Sequence, residues 1–486
     1  MNKLHYFFKI KMCHRTYWKQ WSFSIFIISL FVFSCSSNNS IDYHKTNKIP
    51  VVDTYYDSEV IDNYRWLEDD LSQETGEWVK SQNATTFDYL NKIPFRGKLK
   101  ERLTKLWDYE KISAPFKEGN YTYYFKNSGL QNQRVLYRSS ESSDLEIFLD
   151  PNTFSNDGTT SLSGLSFSKD GTMLAYSISE GGSDWRKIIT ISTETKELVE
   201  DTIVDVKFSG VSWKYNDGFY YSSYDKPKGS ELSEKTDQHK LYFHKLGTSQ
   251  EKDKLIFGGT PEEKNRYVRG FVTNDNRFLI IDAAKRTSGN KLFIKDLKNS
   301  SEIKTIVNDY DSNTSLIDNL GSKLFLFTDH NSPNNRVVTA EFGDLNKSNW
   351  KDFIAESDFV LSLSKAGGFF FAKYMVDAIS KVYQYDYKGN LLREINLPGI
   401  GTASGFSAKN NQKELYFSFS NYYTPATTYK LDIKSGDYQE FWKPSIDFNS
   451  NNYSSKQIFY SSKDGTKVPM IITYKKGIEL NGKNPT

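Results

Sequence analysis

Cysteine is almost absent from this sequence: Cys13 and Cys35 are the only two in 486 residues, and both lie within the first 35. The remainder of the chain therefore has no thiol for a disulfide, a zinc–cysteine cluster or nucleophilic catalysis. Proline is also scarce, with 12 residues, whereas aromatic residues make up 15% of the chain. Because aromatic residues favour strands, this composition predicts a mainly β protein.

Neither sign of charge dominates, since 63 Lys and Arg are interspersed with 60 Asp and Glu. This balance argues against a nucleic-acid partner. The sequence has no His-Glu-x-x-His, no glycine-rich phosphate loop and no EF-hand loop, so we expect no metal and no cofactor. His239 and His244 lie five residues apart on one predicted strand and would point to opposite faces, so we expect structural roles for both.

No hydrophobic run is long enough for a comfortable membrane span; the longest apolar stretch, residues 23–33, has the length of a signal-peptide core and follows a basic segment. It ends in Val-Phe-Ser-Cys at Cys35, which resembles a bacterial lipobox. We therefore predict a signal peptide with lipobox over residues 1–35, acylation of Cys35, a tether over 36–44 and a location in the bacterial cell envelope. An ordinary cleaved signal peptide and an uncleaved anchor remain the alternatives.

Residues 62–107 have the apolar spacing of helices, and Pro94 divides them into two. After Pro115 the pattern changes to short alternating runs. A turn leading into an aromatic strand occurs seven times, beginning at residues 119, 170, 217, 275, 321, 367 and 411, so it recurs every 44 to 58 residues. That period is typical of β-propeller repeats.

A second signature, a strand usually opened by a basic residue, follows each copy of the first. Its seven copies begin at Arg134, Lys187, Lys240, Lys291, Arg336, Lys381 and Thr428. Two interleaved series with equal counts are hard to obtain from a sandwich or a barrel. The sequence therefore predicts a seven-bladed β-propeller over residues 111–452, preceded by a helical segment at 45–110.

Residues 453–486 differ from the repeats and predict one strand hairpin, with its turn at 463–466. No Gly-x-Ser-x-Gly nucleophile elbow occurs anywhere in the 486 residues. We therefore assign no catalytic residue within this chain.

Seven segments together resemble the prolyl oligopeptidases, a family of serine peptidases, and they occur in family order. They are 62–69 (DNYRWLED), 129–137 (GLQNQRVLY), 182–185 (GSDW), 206–209 (VKFS), 240–248 (KLYFHKLGT), 462–470 (SKDGTKVPM) and 476–477 (KG). The resemblance implies an enzyme in which a propeller caps an α/β-hydrolase domain and limits access to it. It implies cleavage of short peptides after proline by a Ser-His-Asp triad.

In that scheme residues 45–110 and 453–486 belong to the α/β-hydrolase domain, which is incomplete here because the family's triad follows later in the chain. The resemblance also implies that Phe208 lines a substrate subsite and that Asp184 faces the same interface. As alternatives, Phe208 is a blade-core aromatic and Asp184 caps the turn before Trp185. A family arginine near substrate aligns with 283–285, which here holds alanines and a lysine.

The expected partners are short proline-containing peptides, with membrane contact only through the lipid anchor or signal segment, and the expected state is a monomer. Two other functions remain open from the sequence. One is an envelope propeller that binds a peptide or protein without catalysis. The other, a dibasic peptidase like oligopeptidase B, agrees less well with the 62–69 and 182–185 segments.

Overall fold

The computed structural model describes residues 41–141, 143–232, 236–260, 264–299 and 302–486. It divides into two compact units, one ending at Arg96 and one running from Gly97 to Thr486. The predicted signal peptide, Cys35 and most of the tether lie outside the described residues.

The first unit contains a strand pair, β1 (Val51–Tyr55) and β2 (Ser58–Asp62), followed by a short 3-10 helix, Arg65–Glu68, and helix α1 (Gln73–Asn91). Helical structure therefore begins later than predicted, because Asp62 still belongs to a strand. Ser72 caps α1, since its hydroxyl accepts a hydrogen bond from the Thr75 N–H at 3.1 Å. Helix α2 (Arg96–Trp107) follows Pro94, which confirms the predicted break.

The second unit is a propeller of seven antiparallel sheets, each built from consecutive strands. Blade 1 comprises β3 (Lys111–Ile112), β4 (Phe116–Glu118), β5 (Tyr121–Asn127), β6 (Val135–Ser140) and β7 (Ser143–Leu149). Blade 2 comprises β8 (Ser161–Phe167), β9 (Met173–Ser179), β10 (Trp185–Ser192) and β11 (Ile203–Lys207). Blade 3 comprises β12 (Ser212–Lys214), β13 (Gly218–Ser223), β14 (Lys240–Lys245) and β15 (Lys254–Phe257). Blade 4 comprises β16 (Tyr267–Val272), β17 (Phe278–Ala284), β18 (Lys291–Asp296) and β19 (Lys304–Val307).

The remaining three blades repeat this order. Blade 5 comprises β20 (Thr314–Leu320), β21 (Lys323–Thr328), β22 (Arg336–Glu341) and β23 (Lys351–Ile354). Blade 6 comprises β24 (Leu361–Ala366), β25 (Phe369–Val376), β26 (Ile379–Tyr385) and β27 (Leu391–Glu394). Blade 7 comprises β28 (Thr402–Ser407), β29 (Glu414–Ser420), β30 (Thr427–Asp432) and β31 (Tyr438–Trp442). The chain then forms the predicted hairpin of β32 (Tyr453–Ser461) and β33 (Lys467–Lys475).

Both repeat series from the sequence correspond to particular strands. The turn-plus-aromatic series supplies the second strand of blades 2 to 7 and β5 in blade 1, and the other series supplies the strand that follows it. The glycine of the turn is needed for space as well as for its positive φ: a Cβ on Gly171 would lie 2.3 Å from the backbone nitrogen of Gly119 in blade 1. The predicted seven-bladed propeller is thus confirmed.

The core lies between blades, because a blade buries its two faces against its neighbours. Large aromatic and aliphatic side chains fill these interfaces; Phe278, Leu292 and Leu326, for example, join blades 4 and 5 in one fully buried cluster. The first strands of neighbouring blades contact each other, as β12 does with β16. The first strands therefore surround the centre of the ring.

Sequential antiparallel order gives the ring two distinct ends. We call face A the end that carries the turns between second and third strands, together with the connections between blades. Face B is the opposite end, which carries the turns between first and second strands.

Candidate functional site

Phe208 lies on face A, directly after β11, in the connection from blade 2 to blade 3. Its backbone has a φ of +52°, a left-handed conformation that is strained for a bulky residue. The side chain is half-buried, and its ring centroid lies 5.8 Å from that of Tyr267 and 6.3 Å from that of Tyr224, both edge-to-face. Phe208 therefore differs from a fully buried blade-core aromatic such as Phe219.

His239 fixes the backbone beneath Phe208. Its Nδ1 accepts a hydrogen bond from the Val268 N–H at 2.8 Å, so the proton is on Nε2, which donates to the Lys207 carbonyl at 2.9 Å. The Tyr224 ring lies 4.4 Å from the imidazole. Burial lowers the pKa of His239 to about 4, so the ring is neutral at physiological pH. This is the structural role that the sequence predicted.

Phe208 lines a cavity of about 790 Å³ on face A, formed by blades 2, 4 and 5 and by the connections from blade 2 to blade 3 and from blade 4 to blade 5. We call it the Phe208 cavity. Its aromatic lining residues are Phe208, Tyr267 and Phe327, and its charged lining residues are Arg186, Arg269, Arg286 and Asp282. An aromatic wall beside several cationic groups is suited to an extended polar chain with some apolar surface, such as a peptide.

Among the residues that the structure describes, Asp282 is the one carboxylate that lines the Phe208 cavity. It lies opposite Arg269 in the register of β16 and β17, and it accepts a hydrogen bond from Asn290 Nδ2 at 2.9 Å. Burial raises the pKa of Asp282 to about 6, although the positive charge of Arg269 opposes the rise. Asn290 in turn is held by the Thr314 backbone, which donates to its Oδ1 at 2.8 Å.

Asp184 is exposed in the turn between β9 and β10. Because Trp185 pairs with Lys207 across β10 and β11, this turn lies on face A, at the same end of blade 2 as Phe208. Asp184 is not among the residues that line the Phe208 cavity. The hydroxyl of Ser183 accepts from the Trp185 N–H at 3.1 Å, so Ser183 caps the turn in the place that the alternative gave to Asp184.

The positions that align with the family arginine have three different environments. Ala283 is fully buried, Ala284 lines the Phe208 cavity, and Lys285 is exposed with its ammonium 5.0 Å from the Tyr310 ring. The cationic groups of the cavity come instead from the three arginines named above. Sequence reasoning missed them, although an aspartate within the apolar strand β17 was a signal that this strand borders a polar site.

His244 forms a second buried cluster, in blade 3. Its Nδ1 lies 2.7 Å from Asp253 Oδ1 and its Nε2 lies 3.1 Å from Glu200 Oε2. Burial alone would lower the pKa of His244, but the hydrogen bonds to both carboxylates outweigh it and raise the pKa to about 9. His244 is therefore a charged structural residue, also in keeping with the prediction.

Two further kinds of feature are absent from the residues that the structure describes. No cluster of three or more His, Cys, Asp or Glu is arranged to hold a metal ion there. In the same residues, no helix is long and apolar enough to cross a membrane.

Residues 44–444 match the family model described as the N-terminal β-propeller domain of prolyl oligopeptidase. A prolyl endopeptidase of Elizabethkingia miricola is 52% identical over 470 residues, which cover 96% of this chain and 66% of the relative. A prolyl endopeptidase of Elizabethkingia meningoseptica is 52% identical over 454 residues, covering 93% and 64%. The chain thus spans less than two thirds of the length of these relatives.

Solved structures of a prolyl endopeptidase and a prolyl oligopeptidase also superpose on this chain. One, from a study of two prolyl endopeptidases and their inter-domain dynamics, superposes with a TM-score of 0.81 at 27% identity and covers 90% of this chain and 65% of that one. Prolyl oligopeptidase B of Galerina marginata, bound to a 25mer macrocyclization substrate, superposes with a TM-score of 0.79 at 27% identity, covering 90% and 66%.

Proposed function

Because this chain belongs to the prolyl oligopeptidase family, we propose that it is the propeller-bearing part of a serine endopeptidase that cleaves short peptides after proline. The observation that carries the proposal is the Phe208 cavity, a peptide-sized space lined by the aromatic side chain that the family resemblance implies. The peptide-bound relative from Galerina marginata supports peptides as the ligand class.

Within this function Phe208 forms one wall of a substrate subsite. Its strained φ and its two edge-to-face neighbours hold the ring in position before a peptide binds, which lowers the entropic cost of binding. Asp184, exposed on the same face, is a second and more peripheral contact for substrate.

The propeller also limits which peptides are admitted. On face B, charged side chains from several blades surround the centre of the ring: Lys409 Nζ pairs with Glu118 at 2.5 Å, and Lys365 Nζ pairs with Asp318 at 2.7 Å. Burial lowers the pKa of Lys169, and the positive charge of the neighbouring Lys409 lowers it further. We infer that this charged opening at the centre of the ring excludes folded proteins and admits short or unstructured chains.

Binding of a short proline-containing peptide to the 486-residue chain tests the proposal. We expect saturable binding, weakened about tenfold by Phe208→Ala because an aromatic contact surface is lost. Phe441→Ala, which removes a partly exposed ring from blade 7 outside the cavity, should leave the affinity unchanged. Equal effects of the two substitutions would count against the subsite.

The nucleophile elbow is absent from these 486 residues, so we expect them to bind the peptide without hydrolysing it. A chromogenic proline reporter measures this directly. Turnover above that of a heat-denatured sample would contradict the expectation. If this chain binds a partner protein and has no measurable affinity for proline peptides, the result would instead favour an envelope propeller without catalysis.

We further propose that the protein is a monomeric lipoprotein of the bacterial cell envelope, acylated at Cys35. Metabolic labelling with palmitate in a bacterial host should label the wild-type chain and the Cys13→Ser variant but not the Cys35→Ser variant. Label retained by Cys35→Ser would contradict the lipobox prediction, and sedimentation would test the monomer.

A further inference from the structure

Three arginine side chains line the Phe208 cavity, and none of them is in ion-pair contact with a carboxylate of the described residues. Those of Arg186, Arg269 and Arg286 form no ion pair and no hydrogen bond with any residue that the structure describes. Four other arginines of the described residues, Arg65, Arg138, Arg277 and Arg336, each pair with an aspartate or glutamate, whereas Arg96, Arg102, Arg134, Arg266 and Arg393 do not. The Phe208 cavity is distinguished by bringing three such unpaired guanidinium groups into one lining.

The Nε of Arg186 lowers the stability of the folded chain. It is buried without a hydrogen-bond partner among the described residues. A buried charged donor that stays unpaired destabilises a protein, so a site that retains one is suited to an acceptor supplied from outside.

Asp282 does not neutralise the positive charge of the three arginines. It is a single carboxylate against three guanidinium groups, and its hydrogen bond comes from Asn290 rather than from an arginine. The charged lining residues therefore sum to two positive charges when Asp282 is ionised. The planar guanidinium fork matches a carboxylate, with two parallel N–H donors for its two oxygens.

We propose that the Phe208 cavity contains an acidic subsite, in which Arg186, Arg269 and Arg286 bind a carboxylate of the peptide while Phe208 and Tyr267 contact its apolar part. This inference rests on the proposed peptide-binding function and adds a substrate class to it: proline peptides that carry an acidic side chain or a free C-terminal carboxylate.

The test uses the full 486-residue chain and three versions of one short proline peptide. The first is neutral with an amidated C-terminus, the second has a free C-terminal carboxylate, and the third is amidated with one glutamine replaced by glutamate. We expect the second or third to bind about tenfold more tightly than the first, and the better of the two identifies the source of the carboxylate.

Substitution of the arginines then locates the effect. Arg269→Gln and, separately, Arg286→Gln should weaken binding of the acidic peptide several-fold more than binding of the neutral peptide, so that the preference for the acidic peptide falls. Arg102→Gln, on helix α2 and outside the cavity, is the matched control for loss of one positive charge. Circular dichroism verifies that each variant is folded.

The outcomes separate the two proposals. Equal affinity for all three peptides would overturn the acidic subsite and leave peptide binding intact, as would an equal loss for neutral and acidic peptides in both variants. No binding of any of the three would overturn the peptide-binding function and the subsite together.

Discussion

Two buried histidines have pKa values displaced in opposite directions, although both lie in or next to blade 3. His239 is held neutral by burial, with a pKa lowered to about 4, whereas two carboxylates raise the pKa of His244 to about 9. An unfolded histidine titrates near 6.5. His239 therefore contributes stability that is present above about pH 6.5 and lost as the pH falls towards 4. His244 contributes stability that is present below about pH 6.5 and lost as the pH rises towards 9.

Urea unfolding across this pH range measures both contributions. We expect His239→Gln to flatten the loss of stability on the acid side, and His244→Gln to flatten it on the alkaline side, each by on the order of 2 kcal/mol. Each variant is the control for the other. Identical pH profiles for the two variants would show that the assigned charge states are wrong.

At the residue scale, the sequence led to Phe208 but not to its surroundings. The Val-Lys-Phe-Ser segment pointed to Phe208 through the family resemblance, because the segment is local and contiguous. Arg186 lies on blade 2, whereas Arg269 and Arg286 lie on blade 4. The three side chains share one cavity only because the blades are arranged in a ring and the strands of blade 4 pair in this register. Such long-range placement leaves no periodic signal in a single sequence.

Helix α2 has an apolar face that is exposed in this structure. Leu99, Leu103 and Leu106, spaced by four and three residues, are 49%, 55% and 50% exposed. This spacing places them on one side of the helix, where they contribute little to the stability of the chain but favour association with other copies.

A triple variant, Leu99→Gln, Leu103→Gln and Leu106→Gln, should reduce aggregation and shift the melting temperature by no more than a few degrees. Light scattering and thermal unfolding monitored by circular dichroism measure the two effects. The comparison variant Leu136→Gln places an amide at a fully buried position in blade 1 and should unfold the protein or lower its melting temperature sharply. A comparable loss of stability in the triple variant would show that this face is packed. Deleting residues 41–110 and 453–486 should likewise improve solubility.

At the element scale, the second and third strands of blades 2–7 were predictable because their aromatic and basic openings repeat along the chain. The first and fourth strands carried weaker signals because several of them are short: the inner strand β12 has three residues, and the outer strands β15, β19, β23 and β27 have four each. The β1–β2 pair was missed because Val51 and Val52 precede a turn without glycine, so no hairpin signature marks it.

The interface between blades 7 and 1, where the ring closes, is packed differently from the other six interfaces between neighbouring blades. Buried apolar clusters join each consecutive pair of blades from 1–2 to 6–7. Among the described residues no such cluster joins blade 7 to blade 1, and no strand is exchanged between them. Their contact includes the Lys409–Glu118 ion pair and borders a cavity of about 490 Å³. Because ion pairs between partly exposed side chains stabilise weakly, we expect this interface between blades 7 and 1, the seam of the ring, to be the weakest of the seven.

Amide hydrogen exchange read by mass spectrometry tests the seam. Exchange in β4, β5 and β29 should be faster than in β17, which is fully buried over four consecutive residues. Glu118→Gln should accelerate exchange at β4 and β29 and leave β17 unchanged. Uniform protection around the ring would contradict the weak seam.

We propose above that face A of this propeller binds proline peptides in the Phe208 cavity. The most direct measurement is photo-crosslinking of the chain with a short proline peptide that carries a benzophenone, followed by mass-spectrometric mapping of the adducts. We expect the adducts to fall on the cavity lining, in segments 208–210, 267–269, 284–290 and 313–315, and to be suppressed by the unlabelled peptide. Adducts on face B, or adducts that the unlabelled peptide does not suppress, would contradict it.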